Sequence, residues 1–448
     1  MDAEKNVYGD VMSPLYSASE PLPPGGERLL HYVWQHRLWQ PARLFTTDGK
    51  EVEVIHTGRP NIHAGPDFSN ATVRHGGMLW AGNIEIHFSS TDWYTHDHDK
   101  DPAYDNVVLH VCCHVNRDVV TSTGIRVPQV EIRVPDYVQA NYERLLAEME
   151  YPPCFRVVSN LSRLKLHAWL DKMGVERLEQ KTLRIEKYLE TTGGDWERVF
   201  FIALSRAFGF GVNAEAFEHW SSNVPLSAAA HHRDDLFQVE ALFYGQAGML
   251  SDAFPKQKDA YWERLRAEYA FLRNKFGLTP MDGTVWKFLR MRPQNFPTIR
   301  MAQLAALYVE GGLNLSAVIA AADIKSLTAL FAAEVSDYWH THYTFGREST
   351  PSDKRLRKAT VYRLILNAVC PVLFAYGRYV GKEEYCERAF AFLEQLPPED
   401  DHIVRRWAVA GVEAQHAADS QALNQLYSAY CQRKDCLRCA IGREYLRL

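Results

Sequence analysis

Two periods of apolar residues run along this chain, and the switch between them marks its organisation. Over residues 27–39, Leu29, Leu30, Val33, Trp34 and Leu38 recur at helical spacing and predict one amphipathic helix. Over 52–134 the apolar residues gather in short runs rich in Val, Ile, Thr and aromatics, separated by Gly, Pro, Asn and Asp. EVEVIH, SNATVR, LWAGNIEIHF, NVVLHVCCHV and QVEIRV read as strands on that ground. After Pro152 and Pro153 the helical period takes over almost to the end, as in LHAWLDKMGVERLEQKTLRIEKYLE and DAYWERLRAEYAFLRNKF. Loops are expected at 340–358 and 396–401. Before the first helix, Pro14, Pro21, Pro23, Pro24, Gly25 and Gly26 predict a flexible lead-in over 1–26. The fold class expected is α+β: a mixed α/β sheet domain over 27–150, then a larger all-α domain over 151–448.

Composition narrows the class. With 46% hydrophobic and 23% charged residues the chain is globular rather than disordered. Its net charge of −5 leaves no global basic footprint, so any contact with phosphate has to come from a local patch. The start, MDAEKNVYGD, lacks the basic and apolar sections of a secretory signal. The most apolar stretch, 315–335, is broken by Asp323, Lys325 and Glu334, so no membrane span is expected. A cytoplasmic location with reduced thiols follows as the expectation for the eight cysteines.

The chemistry concentrates early. His75-Gly76-Gly77 supplies the positive-φ positions of a tight reversal between two β-prone runs. With Gly76 at its centre, Asp67 lies opposite Glu85, and two like charges so placed call for a compensating cation. His87 projects from the same face as Glu85 because strand side chains alternate. The run TDWYTHDHDKDPAYDN follows, carrying Asp92, His96 and His98, and reads first as a solvated acidic loop. Ten of the eighteen histidines precede residue 150, a concentration suited to metal binding or proton transfer.

Gly65-Pro66-Asp67 followed by Glu85-Ile86-His87 resembles the core of the PD-(D/E)XK nucleases, with His87 where lysine is usual. That resemblance implies a restriction-endonuclease-like fold in which Asp67 and Glu85 hold Mg or Mn while His87 acts on the attacking water. The stretches HAGPDFSNA, WAGNIEIHFSSTDWYTH, DPAYDNVVLHV, WKFLRMRPQNFPTIRMAQLA and YCQRKDCLRCAIG make the chain similar to domain-of-unknown-function family 2851 over nearly its whole length. That family brings no activity with it.

Two further patterns lie in the helical part. Cys431, Cys436 and Cys439, with Cys154, Cys370 or Cys386 as a fourth ligand, suit zinc or an iron–sulfur cluster. Arg290, Arg292 and Arg300, interleaved with Trp286, Phe288 and Phe296 and free of acids, suit nucleic-acid phosphates and bases. No serine-hydrolase, zincin or dinucleotide motif is present. The leading expectation is a metal-dependent phosphodiesterase acting on nucleic acid. The alternatives are a non-catalytic nucleic-acid-binding or assembly protein on a degenerate nuclease fold, and a zinc-dependent small-molecule hydrolase built on His96, His98 and Asp92.

Overall fold

The computed structural model describes residues 25–61, 63–254 and 257–448, so the expected lead-in falls almost wholly outside the described residues. The chain divides into two compact units. The first comprises Met1–Leu166, Val409–Gly411 and Tyr427–Leu448, and the second His167–Ala408 and Val412–Leu426. This division differs from the one expected at residue 150: the chain's last residues return to the first unit. Helical periodicity labels an element without saying which core it joins, so the sequence could not assign them.

The first unit opens with helix α1, Glu27–Gln35, whose Leu29, Leu30, Val33 and Trp34 are buried. Strands β1 (Leu44–Phe45), β2 (Glu51–His56), β3 (Arg59–Pro60), β4 (Phe68–His75) and β5 (Met78–Ser89) follow. After the short helix α2 (Asp92–Thr95) come β6 (Val107–His114), β7 (Gln129–Glu131) and helices α3 (Asp136–Ala147) and α4 (Phe155–Val158). The sheet runs β1-β2-β4-β5-β6-β7, with β3 alongside β4. It is antiparallel from β1 to β5 and parallel from β5 to β7, and α1 packs on β5.

Two features of this sheet position the site. The β4–β5 hairpin turns at Gly76 and Gly77, both at positive φ as a two-residue reversal demands. His75 therefore pairs with Met78, one position away from the expected register. Between Ala71 and Phe68 the ladder shifts, with Asn70 at φ 55, so that Phe68 faces Ile84. This bulge on β4 brings Asp67 back opposite Glu85. The expected pairing is reached by a different route.

The second feature is the crossover over residues 90–106. Parallel strands cannot be joined by a tight turn, so the chain must pass back over the sheet before entering β6. It does so with α2 and a 3-10 turn at Pro102–Tyr104, held by a small core of Trp93, Tyr104, Val107, Val119 and Val127.

The second unit is mostly helical, packed around Trp220, Trp262, Trp339, Phe243 and Tyr244. The periodic stretch at 166–190 forms part of one 29-residue helix, Arg163–Thr191. Residues 340–358, expected as a loop, include a two-stranded hairpin, His342–Thr344 with Arg347–Glu348. Residues 315–335 form two short helices, and among the described residues the helix long and apolar enough to cross a membrane is Lys358–Val380. By length and composition that helix could cross a membrane, yet 67% of its most apolar window is buried inside the protein.

Candidate metal centre

Four elements deliver side chains to one place. β5 and β6 run in parallel register with Glu85 beside His110, so Glu85, His87 and His110 project from one face. The crossover lowers His96 and His98 onto that face, and α1 contributes Glu27 and His31. Glu85, His87, His98 and His110 are buried, while His96 is exposed and leaves an open side. The imidazole donor atoms of His87, His96 and His98 all lie within 4.8 Å of one another.

The contacts are close. His87 Nε2 is 3.1 Å from His96 Nδ1 and 3.5 Å from Glu85 Oε1. His98 Nε2 is 3.2 Å from the same Glu85 oxygen and has no hydrogen-bond partner despite its burial. On its other side His87 Nδ1 meets His110 Nε2 at 2.9 Å. His98 stacks on Tyr104 with ring centroids 3.7 Å apart, and Trp93 presses edge-on against it.

Asp67 and Glu85 are joined reciprocally. The Asp67 N–H donates to Glu85 Oε2 at 3.0 Å, and the Ile86 N–H donates to Asp67 Oδ2 at 2.9 Å. His31 Nε2 stands 3.2 Å from that same Asp67 oxygen. Asp67 thus holds Glu85 from behind, and two backbone donors and His31 offset part of the repulsion expected between the two acids.

Burial sets the protonation of the cluster. Desolvation, then the neighbouring imidazoles, holds His87 well below its ordinary value. Burial does the same to His110, which falls to about 3, and to His96 and His98. Burial, and next the Asp67 charge, pushes the Glu85 carboxyl upward. Burial opposes a charged His31, but the Asp67 carboxylate outweighs it and raises that imidazole. The result is a set of neutral imidazoles around a carboxyl group pushed toward its protonated form.

The other expected site residues fall in two groups. Cys154, just ahead of α4, comes within electrostatic reach of Cys431, Cys436 and Cys439, all in the first unit. Burial, and then Cys439, pushes the Cys436 thiol up to about 12. No disulfide joins any of the cysteines. Cys370 and Cys386 belong to the second unit.

Arg290 and Arg292 lie exposed in the second unit beside a short 3-10 turn, Pro293–Asn295, with Arg290 at φ 58. Arg300 differs from its expected role on an open nucleic-acid surface. It is 5% exposed and bonded to Asn295 and Gln303. Asp92 lies within electrostatic reach of His96, as expected, and accepts the Ser89 N–H at 3.0 Å.

Sequence reasoning missed Glu27, His31 and His110. The first two stand four apart on the predicted helix, hence on one face, and that spacing was the available signal. His110 required the β5–β6 register, which no local pattern carries.

Fold and site together define a class: a mixed α/β protein, mostly helical toward its C-terminus, whose sheet bears a buried histidine–carboxylate cluster. Within that class the chain belongs to DUF2851, described as a protein of unknown function, whose family model matches residues 27–402. No curated protein and no solved structure matches it.

Proposed function

We propose that the first unit is a metal-dependent hydrolase, with the ion held by His87, His96, His98 and Glu85 and with phosphodiesters of nucleic acid as substrate. One observation carries the metal. Ligands about 2.0–2.2 Å from a tetrahedral ion lie roughly 3.3–3.5 Å from one another. Three of the six separations among the four donor atoms are 3.1, 3.2 and 3.5 Å, and the three imidazole donors all lie within 4.8 Å of one another. His98 Nε2, buried beside Glu85 without a well-aligned hydrogen bond, and the neutral imidazoles fit the same reading. Three nitrogens favour Zn or Mn over Mg, which demands oxygen ligands.

An ion in this position supplies Lewis-acid chemistry. The chain's own groups do the rest. His110 fixes the His87 ring so that Nε2 faces the site, and Asp67 orients Glu85 through its N–H, the outer-shell support such centres use. The His31–Asp67 pair, at the edge of the cluster, can hold and release a proton. The phosphodiester assignment rests on the order of Asp67, Glu85 and His87 on the hairpin and on their resemblance to the PD-(D/E)XK arrangement. The three imidazoles equally favour the second reading, a zinc hydrolase of small molecules.

Cys154, Cys431, Cys436 and Cys439 form a second proposed site, a zinc or iron–sulfur centre with a structural role. Metal analysis and cleavage assays test both. Wild-type protein is expected to hold about one zinc or manganese at the histidine cluster, with His98→Ala and Glu85→Gln losing it and losing cleavage by about 100-fold or more. Unchanged metal content in both variants would sink the site. Retained metal without cleavage of DNA or RNA, but with turnover of small esters, would favour the second reading.

A further inference from the structure

A pocket of a different kind lies inside the second unit. It has a volume of about 40 Å³ and is lined by Gln294, Asn295, Ile299, Arg300, Gln303 and Thr360, together with the segment from Asp353 to Arg355 and Arg357. Four of its lining residues are cations and one is an acid. That acid, Asp353, is already bound to the Arg355 guanidinium at 2.9–3.1 Å.

Among the described residues, the two innermost cations have no carboxylate partner. Arg300, 5% exposed, spends its terminal nitrogens on neutral amide oxygens, Gln303 at 2.7 Å and Asn295 at 2.6 Å, and its Nε–H is buried without an acceptor. Lys354, 2% exposed, reaches the Ser352 hydroxyl and sits 3.7 Å over the Tyr343 ring. Buried charges are ordinarily paired, because leaving them unpaired costs several kcal/mol. Burial, and then Arg363, pulls Arg300 down to about 10. Tyr343 is lowered too, by its Ser352 hydrogen bond and then by the Lys354 charge.

We propose that this pocket binds a small tetrahedral oxyanion of the phosphoryl type, held by Arg300 and Lys354 with Arg357 at its mouth. Since roughly 10–15 Å³ is the least that admits one water-sized group, a volume of 40 Å³ restricts the ligand to a compact ion or the head of a larger one. A wider cleft of about 710 Å³, lined also by Glu310, Glu334 and Lys358, shares Asp353, Arg355 and Arg357 with the pocket. It offers a route in and space for an organic substituent. A planar guanidinium with a free N–H beside an ammonium is the donor set that phosphoryl oxygens select. The site is independent of the histidine cluster and lies in a different unit.

The test uses the full chain with inorganic phosphate and, separately, ribose 5-phosphate, followed by titration calorimetry and thermal melting at constant ionic strength. Both ligands are expected to bind and raise the melting temperature, while chloride does not. Arg300→Gln and Lys354→Met are each expected to weaken binding about tenfold or more. Tighter binding of the sugar phosphate assigns the cleft to the organic part, and tighter binding of phosphate assigns the free ion; both support the site. Should Arg300→Gln fail to fold, Lys354→Met decides. Equal affinity in Lys354→Met and wild type, or a chloride effect equal to that of phosphate, overturns the proposal.

Discussion

His87 and Glu240 illustrate how differently two buried polar side chains can be accommodated. His87 keeps a neutral ring among other neutral rings, so one of its two ring nitrogens carries a lone pair. Glu240, fully buried in the second unit, accepts hydrogen bonds from Tyr261, Ser336 and Trp339, and burial still raises its carboxyl to about 7. The consequence for stability has a definite sign. The native state keeps the Glu240 proton up to about pH 7, whereas the unfolded chain releases it near 4.5. Stability from this group is therefore present below about pH 4.5 and lost as pH rises toward 7. The loss amounts to about 3 kcal/mol at most, since one pKa unit is worth about 1.4 kcal/mol. Urea midpoints measured from pH 5 to 8 should fall in wild type and change less in Glu240→Gln; parallel profiles would remove Glu240 as the cause.

At the scale of elements, the site depends on how closely β5 approaches β6. A Cβ built on Gly82 would lie 2.4 Å from Val108 Cγ1 and 2.5 Å from the Asn106 carbonyl oxygen, closer than real atoms come. Gly82→Ala should therefore push the two strands apart just before Glu85 and His87. Overpacking of this kind costs about 1–3 kcal/mol. Thermal melting should register that loss, and zinc affinity should drop with it because Glu85 and His110 sit on the separated strands. A variant with wild-type melting and metal affinity would show that the strands yield freely. The Asn70 bulge is the complementary device, since it decides that Asp67 rather than Phe68 stands opposite Glu85. His75-Gly76-Gly77 was legible as a turn because only glycine takes two successive positive φ angles cheaply. The bulge was not, because an asparagine in a strand carries no mark of its conformation.

Across the whole molecule the chain closes on itself. Residues 427–448 return to the first unit, where the helix Ala440–Leu446 packs on α3 and α4 and carries Cys439 at its start. Cys154 and Cys436, far apart in sequence, are thereby brought within electrostatic reach of each other. Cys436→Ser with Cys439→Ser is expected to release about one equivalent of metal while leaving the ion of the histidine cluster bound. Amide exchange in α3 and Ala440–Leu446 should quicken about tenfold or more, with the second unit unchanged. Full metal content in that double variant would dismiss the cysteine centre.

Local patterns determined the helical and sheet-forming stretches of this protein, its turn at Gly76-Gly77, and the clustering of histidines and acids in its first third. They sufficed because periodicity and turn chemistry are properties of neighbouring residues. The tertiary structure alone decided that His96 and His98, on a polar run that reads as a solvated loop, lie over β5. Parallel pairing of β5 with β6 forces that return path, and strand direction is not written in any local run. It also decided that Arg300 is enclosed rather than displayed and that the C-terminal cysteines meet Cys154. Which side chains share a cavity depends on contacts between distant segments, and those exist only after the chain has packed.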